Sequence, residues 1–152
     1  MRKPILSLFA LSLLLLAPLF KAEAQTAVIV NKANPIDDLS IKKLKQLYLG
    51  KVTSLANGKK VYLTEYVPIR KAFYKSVLRM STNKVKKHWI SLVLSGKNAT
   101  PPKRFSDIIA LKKYVIKTPG AISFVELSKI DNSVKVIKID GKMPGDADYP
   151  LN

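Results

Sequence analysis

Arg70 is the residue on which an anion-binding reading of this chain rests. It lies in the stretch VYLTEYVPIRKAFYKSVLR, residues 61–79, two positions after Pro68. Proline has no N–H to donate, so it stops a strand and suits a first helical turn. Beyond it Ile69, Phe73, Val77 and Met80 recur at helical spacing and predict one apolar stripe, with Arg70, Lys71, Lys75 and Arg79 at other positions. The start of a helix leaves N–H groups unpaired and carries a partial positive charge. With Arg70 beside it, this end could hold an anion.

Little else in the chain is equipped for chemistry. There is no cysteine and a single histidine, His88. A zinc site would therefore have to draw nearly all its ligands from carboxylates, and His88, next to Trp89 in a lysine-rich segment, reads as an ordinary helix histidine near the surface. No Gly-x-Ser-x-Gly elbow is present to organise a nucleophile, and no glycine-rich phosphate loop. Asp37-Asp38 precede a helix and are expected to cap it, while Asp146 and Asp148 fall in the C-terminal tail. With no acid, base or nucleophile assembled, neither catalysis nor a metal or cofactor is expected.

The elements that would position Arg70 follow from residue patterning. Ala27-Val28-Ile29-Val30 is a continuous apolar run that suits a buried strand. Ser40 is the expected N-cap of a helix with Ile41, Leu44, Leu47 and Tyr48 on one face, ending before Gly50. Asn57-Gly58 turns the chain into the strand Val61–Tyr66, rich in β-branched and aromatic residues. Thr82 or Asn83 is expected to cap a third helix carrying Val85, Trp89, Leu92 and Val93, which Gly96 ends. Pro101-Pro102 then forces an extended connection. Ser106 is expected to cap a helix from Asp107 to Lys117 with Ile108, Leu111 and Val115 inward. Two strands follow, Ala121–Val125 and the partly alternating Val134–Ile139, before Asp140-Gly141 turns into an irregular tail. Strands separated by helices predict a single α/β domain whose mixed, mostly parallel sheet is flanked by helices.

Charge narrows the partners. The chain has 27 basic and 10 acidic residues, a net +17, which predicts attraction to phosphate-like solutes, anionic headgroups, nucleic acid or an acidic protein. Nucleic acid is not expected. No zinc-finger, basic-zipper or RNA-recognition signature appears, the lysines spread over three helices, and Tyr62, Tyr66 and Tyr74 have the spacing of packing residues. Arg2 and Lys3, the apolar-biased run from Ile5 to Phe20 and Ala22-Glu23-Ala24 together read as a secretory signal peptide over residues 1–24, cleaved before Gln25. A retained anchor is the other reading, but the run falls short of the roughly 20 residues of a membrane span. Cleavage leaves 24 basic and 9 acidic residues, a net charge of about +15, on a periplasmic or secreted domain over residues 25–152.

The order of motifs resembles a known family. Val28-Ile29-Val30-Asn31, Leu39-Ser40 leading to Tyr48-Leu49-Gly50-Lys51, Asn57-Gly58-Lys59, Arg70 with Phe73, Trp89, and Thr118-Pro119-Gly120-Ala121-Ile122-Ser123-Phe124-Val125 are similar to motifs of the phosphate ABC transporter substrate-binding proteins. Their fold is that of the type 2 periplasmic binding proteins, and the chain looks most like their small single-domain relatives. The resemblance runs from about Ala27 to Ile139 and implies a domain like one lobe of such a protein. Where the family has a Ser-Gly-Thr loop at the start of the central helix, this chain has Val67-Pro68-Ile69, without hydroxyl ligands. What the resemblance carries over is Arg70 and the helix N-terminus, with Thr64 and Tyr66 nearby.

The implied function is non-catalytic binding of a small oxyanion such as phosphate, or support of a transport system. The contrasting expectation is a basic interaction protein that docks on an acidic protein or an anionic envelope polymer, with graded losses from several lysine changes and a steep salt dependence.

Overall fold

A computed structural model of the protein describes residues 25–151. The expected leader over residues 1–24 lies outside them. The described residues form a five-stranded sheet in the order β4-β3-β5-β1-β6 and a two-stranded sheet of β2 and β7. Strand β1 is Thr26–Val30, all five residues buried. It is antiparallel to β5 (Ala121–Glu126) on one side and to β6 (Lys135–Val136) on the other. Strand β3 (Tyr62–Tyr66) is parallel to β5 and to β4 (Lys103–Phe105). Strands β2 (Asp38–Leu39) and β7 (Lys138–Ile139) are also parallel. Three of the five pairings are thus parallel, and the mixed, mostly parallel α/β sheet expected from the sequence is present.

Helix α1 (Ile41–Tyr48) starts as expected, with Ser40 accepting from the Lys43 N–H. Its buried face meets an aromatic cluster. Tyr48 sits edge-on to Phe73, and Phe73 stacks on Phe124 of β5 with centroids 3.7 Å apart. Aromatic pairs of this kind contribute about 0.5–1.5 kcal/mol beyond their burial. Gly50, at φ +66°, lets the chain leave α1 beneath helix α3 (Thr82–Leu94). A Cβ there would lie 2.6 Å from Leu92 Cδ2 and 2.8 Å from Trp89 Cη2.

The helix after β3 is less regular than its apolar stripe predicts. A 3₁₀ turn over Val67–Ile69 holds Pro68, a four-residue α segment, α2 (Arg70–Phe73), follows, and a wider π turn covers Tyr74–Leu78. Arg79, left-handed at φ 57°, ends it, so Met80 lies beyond the helix. The stripe is nonetheless real, because Phe73 and Val77 are buried.

Several expected details are corrected. Helix α3 (Thr82–Leu94) is capped by Ser81, and neither Thr82 nor Asn83 takes that place. Helix α4 (Ile108–Lys117) is capped by Asp107, not Ser106, since its carboxylate accepts from the Ala110 N–H. Asp37 and Asp38 do not cap α1. Asp37 pairs with Lys135 at 2.9 Å, and Asp38 accepts from the Gly141 N–H across the β2–β7 junction. The Val134–Ile139 run divides between two sheets because Lys135-Val136 pair with β1 and Lys138-Ile139 with β2. The tail is irregular, as read, yet Tyr149 and Leu151 are buried in the core.

Close backbone approach governs where β5 begins. Gly120 precedes it, and a Cβ there would lie 2.3 Å from the Lys60 carbonyl oxygen. The Gly120 carbonyl accepts from the Tyr62 N–H at 2.9 Å, so this contact sets the start of the β3–β5 pairing.

Candidate functional site

Glu65 is the centre of a charged cluster that faces a groove. It lies on β3 with 3% of its surface exposed, and a carboxylate taken out of water this far needs several donors. Three side chains supply them. The parallel register places Arg104 of β4 directly beside Glu65, and its Nε donates to Glu65 Oε1 at 2.8 Å. The 3₁₀ turn carries the chain round so that Arg70 Nη1 donates to the same oxygen at 3.0 Å. Four residues further, one turn along the same face, the Tyr74 hydroxyl donates to Oε2. Burial, reinforced by the hydrogen bond to Glu65 and its negative charge, pushes the Tyr74 phenol far above its usual range. Two guanidinium charges against one carboxylate leave an excess of one positive charge here.

The cluster forms the polar end of a groove of about 320 Å³. Its walls are apolar, with Val85, Trp89, Ile90, Val93 and Leu94 of α3 on one side and Pro101-Pro102 on the other. Arg104 is exposed, whereas Arg70 is half-buried. A second cleft, of about 260 Å³, lies on the α1 side of Trp89 and is lined by polar groups including Thr53, Ser54, Asn98 and Thr100. No group of three metal-binding side chains is found among the described residues.

Of the three residues the sequence pointed to, Arg70 lines the groove and the other two do not. Thr64 is fully buried, and its hydroxyl donates to the Ile122 carbonyl at 3.4 Å. Tyr66 is buried as well, and its phenol is raised by burial and then by the charges of Glu126 and Asp107. Alternation along β3 accounts for this, because residues on either side of Glu65 face the other way. The helix N-terminus expected beside Arg70 is a 3₁₀ turn leading into four α-helical residues. His88 donates from Nε2 to the Leu49 carbonyl at 2.8 Å and ties α3 to the end of α1.

Glu65, Tyr74 and Arg104 escaped the sequence reading. The available signal was an acidic residue in the middle of a strand otherwise built for packing, since a buried carboxylate implies cationic partners. Arg104 gave no such signal, because it lies 39 positions away on a strand of three residues.

No protein-family model matches the chain. Solved structures do match it. An ABC-type phosphate transport receptor from Vibrio cholerae superposes with a TM-score of 0.65 and 21% identity, over 84% of this chain and 52% of that one. A Clostridium perfringens protein assigned as a phosphate ABC transporter substrate-binding protein, solved with bound phosphate, gives 0.64 and 22%, over 79% and 46%. A phosphate binding protein from Stenotrophomonas maltophilia gives 0.56 and 16%, over 80% and 40%. This chain has the fold of phosphate-transport substrate-binding proteins. It spans about half the length of the phosphate receptors it matches, and at these identities the likeness is one of fold. Among the described residues, no helix is long and apolar enough to cross a membrane.

Proposed function

We propose that the chain is an exported, non-catalytic binding protein that holds a small oxyanion such as phosphate at the Arg70–Arg104 pair, by itself or in support of a transport system. One observation carries this reading. Two guanidiniums converge on a single carboxylate oxygen, so one positive charge and several N–H donors remain available at the groove. Guanidinium forks match the geometry of phosphate and carboxylate. The neighbours of like fold are phosphate-transport proteins, which favours phosphate over other anions. The leader read from residues 1–24 and the net charge of +17 are in keeping with an exported protein that meets anions outside the cytoplasm.

The test is calorimetric titration of the purified protein with phosphate and with sulfate, at low and near-physiological salt. Saturable one-site binding that survives salt, is lost in Arg70→Glu and persists in Lys113→Glu on α4 supports the reading. Absence of heat with either anion in a folded sample overturns it for these ligands. Graded weakening by many lysine changes with a steep salt dependence would favour docking on an acidic protein or envelope polymer.

A further inference from the structure

The groove has more apolar wall than an inorganic ion can use. Ile90, Val93 and Leu94 follow one another on one face of α3 and stand 49%, 48% and 81% exposed. Trp89 continues that wall inward, and Pro101-Pro102 face it. Phosphate seated on the guanidiniums would leave this surface wet, although small-molecule sites combine such walls with a few convergent polar groups.

The polar end has donors to spare. Arg104 donates to Glu65 through Nε alone, so Nη1 and Nη2 have no protein partner among the described residues. Arg70 uses only Nη1. Glu65 is the one carboxylate in the lining, and both its oxygens are occupied. Lys86 adds a further positive charge at the groove.

From this juxtaposition we infer that the groove takes an organic oxyanion, with its anionic head on the Arg70–Arg104 pair and an apolar tail lying along Trp89, Ile90, Val93 and Leu94. The inference rests on the reading that this pair holds an anion, and it adds the class of ligand. A tail excludes water from the arginine–head contact as well as contributing its own burial, so head and tail favour each other.

Trp89 is the only tryptophan in the chain, so intrinsic fluorescence reports directly on this wall. The purified full chain is titrated with hexyl phosphate, inorganic phosphate and hexanol, with calorimetry in parallel. Hexyl phosphate is expected to bind saturably, about tenfold or more tighter than phosphate, a factor that burial of two methylenes supplies, and to change Trp89 emission. Arg104→Gln should weaken it about tenfold or more. Ile90→Ser with Leu94→Ser, both at exposed positions that leave the core intact, should erase its advantage over phosphate, and Lys113→Glu should change neither ligand. Phosphate binding as tightly as hexyl phosphate would overturn the inference while leaving the inorganic-anion reading in place. Hexanol matching hexyl phosphate would overturn it by removing the need for a charged head. If neither anion binds the folded protein, both readings fall.

Discussion

The Tyr74 hydroxyl donates to Glu65 Oε2, the carboxylate oxygen that neither arginine uses. The phenol thus completes the coordination of a buried charge and holds the carboxylate while the two guanidiniums share the other oxygen. The groove's polar end is built from one strand pair and one helical turn, locked together at a single side chain.

Removing members of this cluster should destabilise in a defined order. Glu65→Gln leaves two arginines facing each other without their anion and weakens three hydrogen bonds to a charged acceptor, a loss of about 2–3 kcal/mol. Tyr74→Phe leaves a buried carboxylate oxygen short of a donor, about 1–3 kcal/mol. Arg104→Gln acts on a side chain 62% exposed to solvent, which screens the pair to below about 1 kcal/mol. Urea denaturation of the three variants gives the ranking, and Arg104→Gln proving the most harmful would refute this account of the cluster.

Gly120→Ala should disturb the β3–β5 junction. Its methyl group would meet a backbone carbonyl at 2.3 Å, and backbone cannot swing aside as a side chain tip can. The expected cost is about 1–3 kcal/mol, as for other overpacked sites. Hydrogen exchange of the Tyr62 amide, bonded to the Gly120 carbonyl, should accelerate beyond what the global loss of stability explains. Unchanged protection there would show that the junction yields elsewhere.

Alkaline pH should unfold the protein through its tyrosines. Burial raises the phenol pKa of Tyr48, Tyr66, Tyr74 and Tyr149. These groups hold their protons when folded and release them at about pH 10 when unfolded. The stability they contribute is therefore full below about pH 10 and is lost as pH rises toward the folded values. Absorbance of tyrosinate and loss of secondary structure, followed together from neutral to strongly alkaline pH, should show these tyrosines ionising with unfolding. Ionisation of all tyrosines in a protein that stays folded would contradict the assignment.

Helices and packed strands were legible in the sequence because they depend on local chemistry, although the caps of α3 and α4 each lie one residue from those expected. Ser40 caps α1 as read, and the apolar run at Ala27 is the most deeply buried strand. Pairings decided by distant partners were not legible. Lys135-Val136 and Lys138-Ile139 read as one alternating strand, but they serve different sheets because the first two pair with β1 and the last two with β2. The widened turn at Tyr74–Leu78 left no mark on a stripe of apolar residues that serves α and π geometry alike. Arg70 was found because a basic residue after a proline is a local signal. Arg104 was hidden because only the β3–β4 register brings it beside Glu65, and Thr64 and Tyr66 were favoured by nearness in the chain when alternation turns them away.

The position of β1 has a consequence for the time at which this molecule can take shape. Its longest pairing is with β5, matching residues such as Ala27 and Val125 from opposite ends of the described chain. β1 waits for a strand nearly a hundred residues later, so closure of that long loop precedes any gain from the central pairing. The β1–β5 pairing should therefore form only after Glu126 has left the ribosome. Until then Ala27–Val30 remains an exposed, sticky segment, the one a chaperone would be expected to hold.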